Sequence, residues 1–201
     1  MRRIISLFSL LLIFQIVFSQ DQAVQMGNTG SILMVLDVQE HFVDNAMKKK
    51  DGKELVENIN TIIQIARPMD IVFVKANIEL LELSFKGIKV VHAEDMDLAP
   101  ALYRKKNDRI FIKEEGSAFS SGEFREYLEA SHIGTVYLVG LFASKCISAT
   151  AINGEERGYE MILIEDGVAA KKASKKEKIL GNLLNSGVKI ISAAEFEKQV
   201  E

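Results

Sequence analysis

The sequence predicts a doubly wound α/β fold, in which a mostly parallel sheet carries helices on both faces. Near-continuous apolar runs recur along the chain, as they do in strands that are covered on both sides. Segments with apolar residues at helical spacing separate these runs, so that strand and helix alternate. Right-handed crossovers between parallel strands are the expected connections.

The predicted elements follow one another in order along the chain. The apolar runs predict strands at Ser31 to Leu36, Ile71 to Val74, Ile88 to Val91, Ile110 to Ile112, Val136 to Val139, Met161 to Ile164 and Val188 to Ile191. The helical patterns predict helices at Glu54 to Ala66, Gly122 to Ala130, Lys145 to Arg157 and Lys175 to Leu184. Gly158 and Gly187 follow two of these helices, where a residue with left-handed backbone is needed.

The amino terminus has the pattern of an export signal. Arg2 and Arg3 precede an apolar run that extends to Phe18, and Ser19 supplies a small residue for cleavage. We predict a signal peptide at 1–19, a flexible lead at 20–30 and one folded domain at 31–201. An uncleaved signal anchor is the alternative, although the run is short for a membrane span of about 20 residues. The mature protein is therefore expected to be periplasmic or secreted, without a stable membrane anchor.

The distribution of charge disfavours a nucleic-acid partner. The formal net charge is −3, and no basic stripe is interleaved with aromatic residues. The lysine clusters near 48–50 and 171–176 are expected to be solvated. The roughly 180 residues that remain after signal cleavage suffice for one core, so one site is expected. The expected partner is a small-molecule substrate. The sequence leaves open whether the chain forms a homo-oligomer.

Cys146 is the only cysteine of the chain. An exported protein cannot form an internal disulfide with one cysteine, so this thiol is either reactive or a small buried apolar group. Cys146 follows the predicted strand at 136–139, Asp37 follows the first strand, and Lys113 follows the strand at 110–112. Ligands of doubly wound sheets bind at the carboxyl ends of the strands, so the three side chains are expected to converge there.

Each of these residues also has a purely structural explanation. Asp37 is suited to capping a turn, Lys113 to a solvated strand end, and Cys146 to inert burial. Their joint placement at one edge of the sheet favours chemistry over three separate structural roles.

An acid, an ammonium and a thiol together support attack by sulfur on a carbonyl carbon. Asp37 is expected to accept the thiol proton and to return it to the leaving group. The Lys113 ammonium and the amino terminus of the following helix are expected to lower the pKa of Cys146. Backbone N–H groups at the turn between strand and helix, including that of Cys146, are expected to hold the oxyanion.

Three sequence blocks carry these residues in order, at 35–42 (VLDVQEHF), 112–119 (IKEEGSAF) and 139–151 (VGLFASKCISATA). Together with the acidic turn at 165–167, they resemble the isochorismatase-like family of cysteine hydrolases over about 32 to 170. The resemblance implies a Rossmann-like fold. It also implies that Asp37 accepts and donates the proton, that Lys113 gives electrostatic support and that Cys146 is the nucleophile.

The resemblance further implies how the substrate is held. A cis peptide between Leu141 and Phe142 would direct the amides of Phe142 and Cys146 into an oxyanion hole. Phe42 and Phe119 would line the pocket. Smaller residues precede the nucleophile in many members, so the phenylalanine at 142 is expected to narrow the pocket of this chain.

The sequence departs from the metal-binding nicotinamidases of that family. Those enzymes carry an Asp-x-His motif and a further histidine after the second strand, whereas this chain reads VKANIELLE at 74–82. No histidine of the chain shows the spacing of a metal ligand, the three being His41, His92 and His132. We therefore expect neither a metal nor a cofactor.

Other enzyme classes are disfavoured because the sequence lacks features that they require. A haloacid-dehalogenase-like phosphatase requires a second aspartate where this chain has Gln39, and no glycine-rich phosphate loop follows the first strand. The predicted function is therefore an exported, metal-independent cysteine hydrolase that cleaves a small molecule at an amide-like C–N bond. Cleavage of a vinyl ether is a less favoured chemistry. The alternative from another class is a non-catalytic exported binding or interaction module that retains the fold.

Overall fold

The computed structural model describes residues 30–45, 47–84, 87–92, 96–170 and 172–201. The predicted signal peptide at 1–19, and all of the predicted lead except Gly30, lie outside these residues. Among the described helices, none combines the length and the apolar character that a membrane span requires.

Six parallel strands form the main sheet, in the order β5-β2-β1-β6-β7-β8. This arrangement confirms the predicted doubly wound α/β fold. The strands are β1 (Gly30–Leu36), β2 (Asp70–Ala76), β5 (Arg109–Lys113), β6 (Ile133–Gly140), β7 (Glu160–Val168) and β8 (Lys189–Ile191). Six of the seven predicted strands belong to this sheet.

The remaining predicted strand, Ile88 to Val91, was wrongly placed in the parallel sheet. It is β4 (Gly87–Val91), which pairs antiparallel with β3 (Leu80–Ser84) in a separate two-stranded sheet. Strands of a hairpin need only a short turn, whereas parallel neighbours need a crossover of about a dozen residues or more. The short segment between β3 and β4 permits only the hairpin.

In the described part of the chain, six α-helices accompany the strands. They are α1 (Glu40–Asn45), α2 (Lys49–Ile65), α3 (Gly122–Ala130), α4 (Ser148–Glu156), α5 (Lys176–Asn185) and α6 (Ala193–Val200). The sequence prediction missed α1, which is short, and α6, whose start is marked by a capping box of Ser192 and Glu195. The single helix predicted at Lys145 to Arg157 consists of a π-helical turn (Ala143–Ile147) followed by α4. Gly158 and Gly187 have φ values of 85° and 94°, as predicted for residues that end helices.

The two faces of the sheet bury separate apolar clusters. Along β1, Ile32, Met34 and Leu36 face one cluster, while Leu33 and Val35 face the other. The first cluster contains residues of α3, α4 and α5, and the second contains residues of α2 and α6. Because β1 is buried on both faces, its carboxyl end is held firmly at the centre of the sheet.

Candidate active site

The three predicted residues lie at the carboxyl edge of the central strands. Asp37 directly follows β1 and has left-handed backbone, with a φ of 55°. Its N–H donates to the Val74 carbonyl of β2 at 2.8 Å. Lys113 is the last residue of β5, and Cys146 lies in the π-helical turn after β6. The sheet order places β1 between β2 and β6, so these ends are close in space.

Gly140 makes the close approach of β6 to β1 possible. It lies opposite Leu36 at the end of the strand pair, with a φ of 129°. A Cβ atom at this position would be 2.0 Å from the Leu36 carbonyl oxygen, so only glycine fits without a backbone shift. The following residue, Leu141, donates its N–H to the same oxygen at 2.9 Å. This junction brings the turn that carries Cys146 next to Asp37.

The Lys113 ammonium joins the acid to the thiol. Its Nζ atom is 3.1 Å from Asp37 Oδ2 and 3.5 Å from Cys146 Sγ. It also donates to the Glu115 carbonyl oxygen at 2.9 Å. An ammonium group has three N–H donors, so these three contacts occupy all of them. The structure therefore brings together the residues that were predicted as nucleophile, base and electrostatic support.

Asp37 and Lys113 form an ion pair that water scarcely reaches. Each residue is only 2 % exposed. Buried charges are tolerated when they are paired and hydrogen bonded, and here Oδ2 of Asp37 is paired with Lys113. The other carboxylate oxygen, Oδ1, is buried and has no well-formed hydrogen bond to any described residue. The ion pair therefore satisfies one carboxylate oxygen of Asp37 and leaves the other without a strong partner among the described residues.

Burial raises the pKa of both the acid and the thiol. Loss of water raises the pKa of Asp37, and the Lys113 charge opposes this effect only in part. Burial, followed by the negative charge of Asp37, raises the pKa of Cys146 from 9.0 to about 11, although Lys113 opposes the rise. Lys113 lowers the pKa of Cys146, as predicted, but the expected net lowering is wrong because burial and the Asp37 charge outweigh it. The contribution of the helix terminus stays a prediction. Because Lys113 is shared with Asp37, its charge does not balance desolvation and the nearby carboxylate.

These residues border a cavity of about 510 Å³. One wall is apolar, with the rings of Phe42 and Phe142 edge to face at a centroid distance of 6.3 Å. Phe42 and Phe142 therefore lie where the sequence analysis expected pocket residues. The complete lining is Asp37, His41, Phe42, Asn45, Ala76, Ile78, Lys113, Glu114, Glu115, Gly116, Phe142, Ser144, Lys145 and Cys146.

Phe119 does not line this cavity, contrary to the sequence prediction. Its side chain is 2 % exposed and packs against Phe124 and Tyr159, at centroid distances of 5.6 and 5.4 Å. The Ser117 hydroxyl accepts the Phe119 N–H at 3.2 Å and starts a short 3₁₀ turn at Ala118–Ser120. This turn directs the ring into the core instead of the cavity.

Several lining residues were not predicted from the sequence. Glu115 and Gly116 belong to the second sequence block, and Lys145 directly precedes the thiol, so their positions in the motifs were available signals. Ala76 and Ile78 had no such signal, because they become wall residues only through the position of β2 beside β1.

The peptide between Leu141 and Phe142 is cis, as the resemblance implied. The Phe142 N–H has no hydrogen-bond acceptor among the described residues. Neighbouring N–H groups are occupied, since Ala143 donates to Ala169 and Lys145 donates to the Phe142 carbonyl, both at 2.9 Å. The role of the Phe142 and Cys146 amides as an oxyanion hole remains a prediction.

The described histidines do not gather into a metal site. His41 lines the cavity, with Nδ1 3.2 Å from Asn45 Nδ2, whereas His92 lies 3.0 Å from Glu79. His132 follows α3 with a φ of 52°. In the part of the chain that the structure describes, no group of three or more His, Cys, Asp or Glu residues is arranged to hold a metal ion. Independence from metal remains a prediction.

Comparison with known proteins places this chain in a family. The family model for the isochorismatase domain matches residues 31–195. A secreted isochorismatase effector, Isc1, of Verticillium dahliae is 27 % identical over 141 residues, which cover 69 % of this chain and 72 % of the effector. A probable inactive nicotinamidase of Arabidopsis thaliana, At3g16190, is 23 % identical over 191 residues, which cover 85 % of this chain and 96 % of that protein.

The fold has close structural counterparts. An isochorismatase-like hydrolase from Alkaliphilus metalliredigens superimposes with a TM-score of 0.71 at 21 % identity, over 86 % of this chain and all of that one. At this identity the likeness concerns the fold, whereas the family match rests on the sequence model for residues 31–195. On that match, the chain belongs to the isochorismatase-like family.

Proposed function

We propose that the protein is a cysteine hydrolase that cleaves an amide-like C–N bond of a small molecule. One observation carries the proposal, namely that the Lys113 ammonium contacts both the Asp37 carboxylate and the Cys146 thiol at the edge of a cavity. This arrangement places a nucleophile, a proton carrier and a fixed positive charge around the space that a carbonyl group would enter.

Acylation begins with the neutral thiol. As Cys146 sulfur attacks the carbonyl carbon, Asp37 accepts the thiol proton, and the C=O electron pair moves onto oxygen. The N–H groups of Phe142 and Cys146 donate to this oxyanion. When the tetrahedral intermediate collapses, the C–N bond breaks and Asp37 protonates the departing nitrogen. The products of this half-reaction are an amine or ammonia and a thioester at Cys146.

Hydrolysis of the thioester restores the site. Asp37 accepts a proton from water as the water oxygen attacks the thioester carbonyl. The C–S bond then breaks, the proton returns to sulfur, and a carboxylic acid leaves. Lys113 stays protonated throughout and stabilises the negative charge that passes between carboxylate and sulfur.

The raised pKa of Cys146 agrees with this sequence of proton transfers. A thiol with a pKa of about 11 is neutral at rest, so the site depends on a base that acts while the C–S bond forms. Asp37 suits this task because burial raises its pKa and thereby strengthens it as a base.

The second candidate function is a binding module without catalysis. Two observations favour it: the thiol is poorly ionised in the free protein, and one relative is named a probable inactive nicotinamidase. Such a module would bind small molecules in the same cavity and would not require transfer of the thiol proton to Asp37.

Parallel assays separate the two functions. Small amides and ureides are incubated with the wild-type protein and with Cys146→Ala, while product release and thermal stabilisation are both recorded. A hydrolase releases product only from the wild type. A binding module is stabilised by the same compounds in both proteins and releases none. Product formation that persists in Cys146→Ala would contradict the nucleophilic role.

We also propose that the protein is exported. The apolar amino-terminal run supports this proposal, and one relative is named a secreted effector. Expression of the full chain in a bacterial host, with fractionation and mass analysis of the mature terminus, tests it. We expect the recovered protein to begin at Gln20; a cytoplasmic protein that retains Met1 would contradict export.

A further inference from the structure

Gln39 is a fully buried polar residue beside the active site, with an exposed fraction of 0 %. Its carboxamide makes three hydrogen bonds to backbone groups of other segments. Oε1 accepts the Ala76 N–H at 2.9 Å, while Nε2 donates to the Ala76 carbonyl at 3.2 Å and also to the Met96 carbonyl. The carboxamide therefore joins the end of β2 to the segment that precedes Leu98.

The Gln39 side chain takes the place of the backbone that β1 would present to Ala76 if the strand continued. Leu36 of β1 lies opposite Val74 of β2, so Ala76 would face position 38 if β1 continued. The chain leaves the sheet at Asp37, however, and the Val38 carbonyl accepts the Ala99 N–H at 2.9 Å instead. A primary carboxamide offers one donor and one acceptor side by side, as a backbone peptide does, and can satisfy both groups of Ala76.

Gln39 also contacts Asp37 through a backbone hydrogen bond. The Gln39 N–H donates to the Asp37 carbonyl at 2.8 Å, across the turn in which Asp37 has a φ of 55°. An aspartate with left-handed backbone depends on its surroundings to hold that conformation. Gln39 anchors the turn on one side, and the Asp37 N–H bond to Val74 anchors it on the other.

We propose that Gln39 is a positioning residue, whose carboxamide replaces the backbone of β1 opposite Ala76 and thereby holds the Asp37 carboxylate against Lys113 and Cys146. This role rests on the proposed function, because it matters for turnover only if Asp37 is the proton carrier. The carboxamide does not touch the substrate cavity, and Ala76 conveys its effect to the cavity wall.

The test replaces Gln39 with methionine, which has similar length and volume but cannot form these hydrogen bonds. Cys146 is the only cysteine, so the rate of alkylation by iodoacetamide between pH 8 and 12, a range that spans its pKa of about 11, reports on its surroundings without a substrate. If Asp37 moves away, we expect the midpoint of alkylation to fall by at least half a pH unit. With p-nitrophenyl acetate as the probe of turnover, we expect kcat to fall at least tenfold while KM changes less than threefold.

Asn60 provides a matched control, because its carboxamide also clamps backbone groups. Its Nδ2 donates to the Ala101 carbonyl at 2.8 Å, and its Oδ1 accepts the Tyr103 N–H at 2.7 Å, outside the cavity. We expect Asn60→Leu to lower thermal stability while the alkylation midpoint stays that of the wild type. If Gln39→Met does not fold, Gln39→Asn retains the carboxamide on a shorter side chain, and the same shift is expected with smaller amplitude.

The outcomes separate this inference from the proposed function. A folded Gln39 variant with the wild-type alkylation profile and kcat would overturn the positioning role. If the wild type does not turn over p-nitrophenyl acetate or any tested amide, the proposed hydrolase function fails, while the alkylation profile still decides whether Gln39 positions Asp37.

Discussion

Replacing Asp37 with asparagine is expected to make Cys146 easier to alkylate while hydrolysis is lost. Asparagine retains the shape of the side chain but removes the negative charge beside the thiol. Because that charge raises the pKa of Cys146, its removal favours the thiolate. The same substitution removes the proposed proton carrier, so the two activities of the thiol should change in opposite directions.

The expected size of the change follows from the pKa of the thiol. A pKa of about 11 instead of 9.0 lowers the thiolate fraction about 100-fold at any pH below 9. A like charge within about 4 to 6 Å commonly contributes one pKa unit or more. In Asp37→Asn the Lys113 ammonium is also no longer shared with a carboxylate. Alkylation at pH 8 is therefore expected to rise about tenfold or more.

The assay measures alkylation by iodoacetamide across pH, with the extent of labelling read by intact mass. Glu126→Gln is a matched control, because it removes one negative charge from an exposed position on α3. It should leave the rate unchanged. Wild-type Cys146 that titrates at or below pH 9, or Asp37→Asn that is alkylated no faster than the wild type at pH 8, would contradict the proposed effect of the Asp37 charge on the thiol.

Three further substitutions test other parts of the site. Lys113→Met leaves Asp37 buried without its partner, so we expect chemical denaturation to show that the free energy of unfolding falls by about 3 kcal/mol. The loss should be larger at pH 8 than at pH 5, because protonation of Asp37 removes the unpaired charge. An equal loss at both pH values would contradict the ion pair. Phe142→Ala removes a ring from the cavity wall, and kcat/KM for bulky relative to small amides should rise about tenfold; unchanged selectivity would exclude Phe142 from the pocket. Gly140→Ala should abolish folding or lower the free energy of unfolding by more than about 3 kcal/mol, because its Cβ atom would meet backbone atoms. The Cβ atom of Gly181→Ala meets nothing within 4 Å, so this control should stabilise α5 by about 0.5–1 kcal/mol in thermal melts. Similar effects of the two substitutions would contradict the close approach of β6 to β1.

Much of the fold was predictable because the central strands of the main sheet are buried on both faces. Strands such as β1 and β6 consist of continuous apolar residues, and helices such as α3 have a clear apolar stripe. The hairpin of β3 and β4 was not predicted, because a short apolar run does not reveal whether its partner is parallel or antiparallel. The pairing depends on chain length between strands and on space beside the sheet.

The site was predictable in its members but not in its electrostatics. Asp37, Lys113 and Cys146 were found because each follows an apolar strand, and parallel strands end at one edge. The direction of the Cys146 pKa was not predictable, since it depends on how deeply the thiol is buried and on Lys113 being shared with Asp37. Phe119 was misplaced for a similar reason, because a single 3₁₀ turn decides whether its ring enters the cavity or the core.

Trapping of the acyl-enzyme is the direct test of Cys146 as the nucleophile. Wild-type protein and Cys146→Ala are mixed with p-nitrophenyl acetate, quenched in acid within the first turnover, and digested for mass analysis of the peptide that contains position 146. We expect an acetyl group on Cys146 of the wild type, which disappears as acetate is released, and none on the variant. An acetyl group on another residue, or equal release of acetate by Cys146→Ala, would contradict this role.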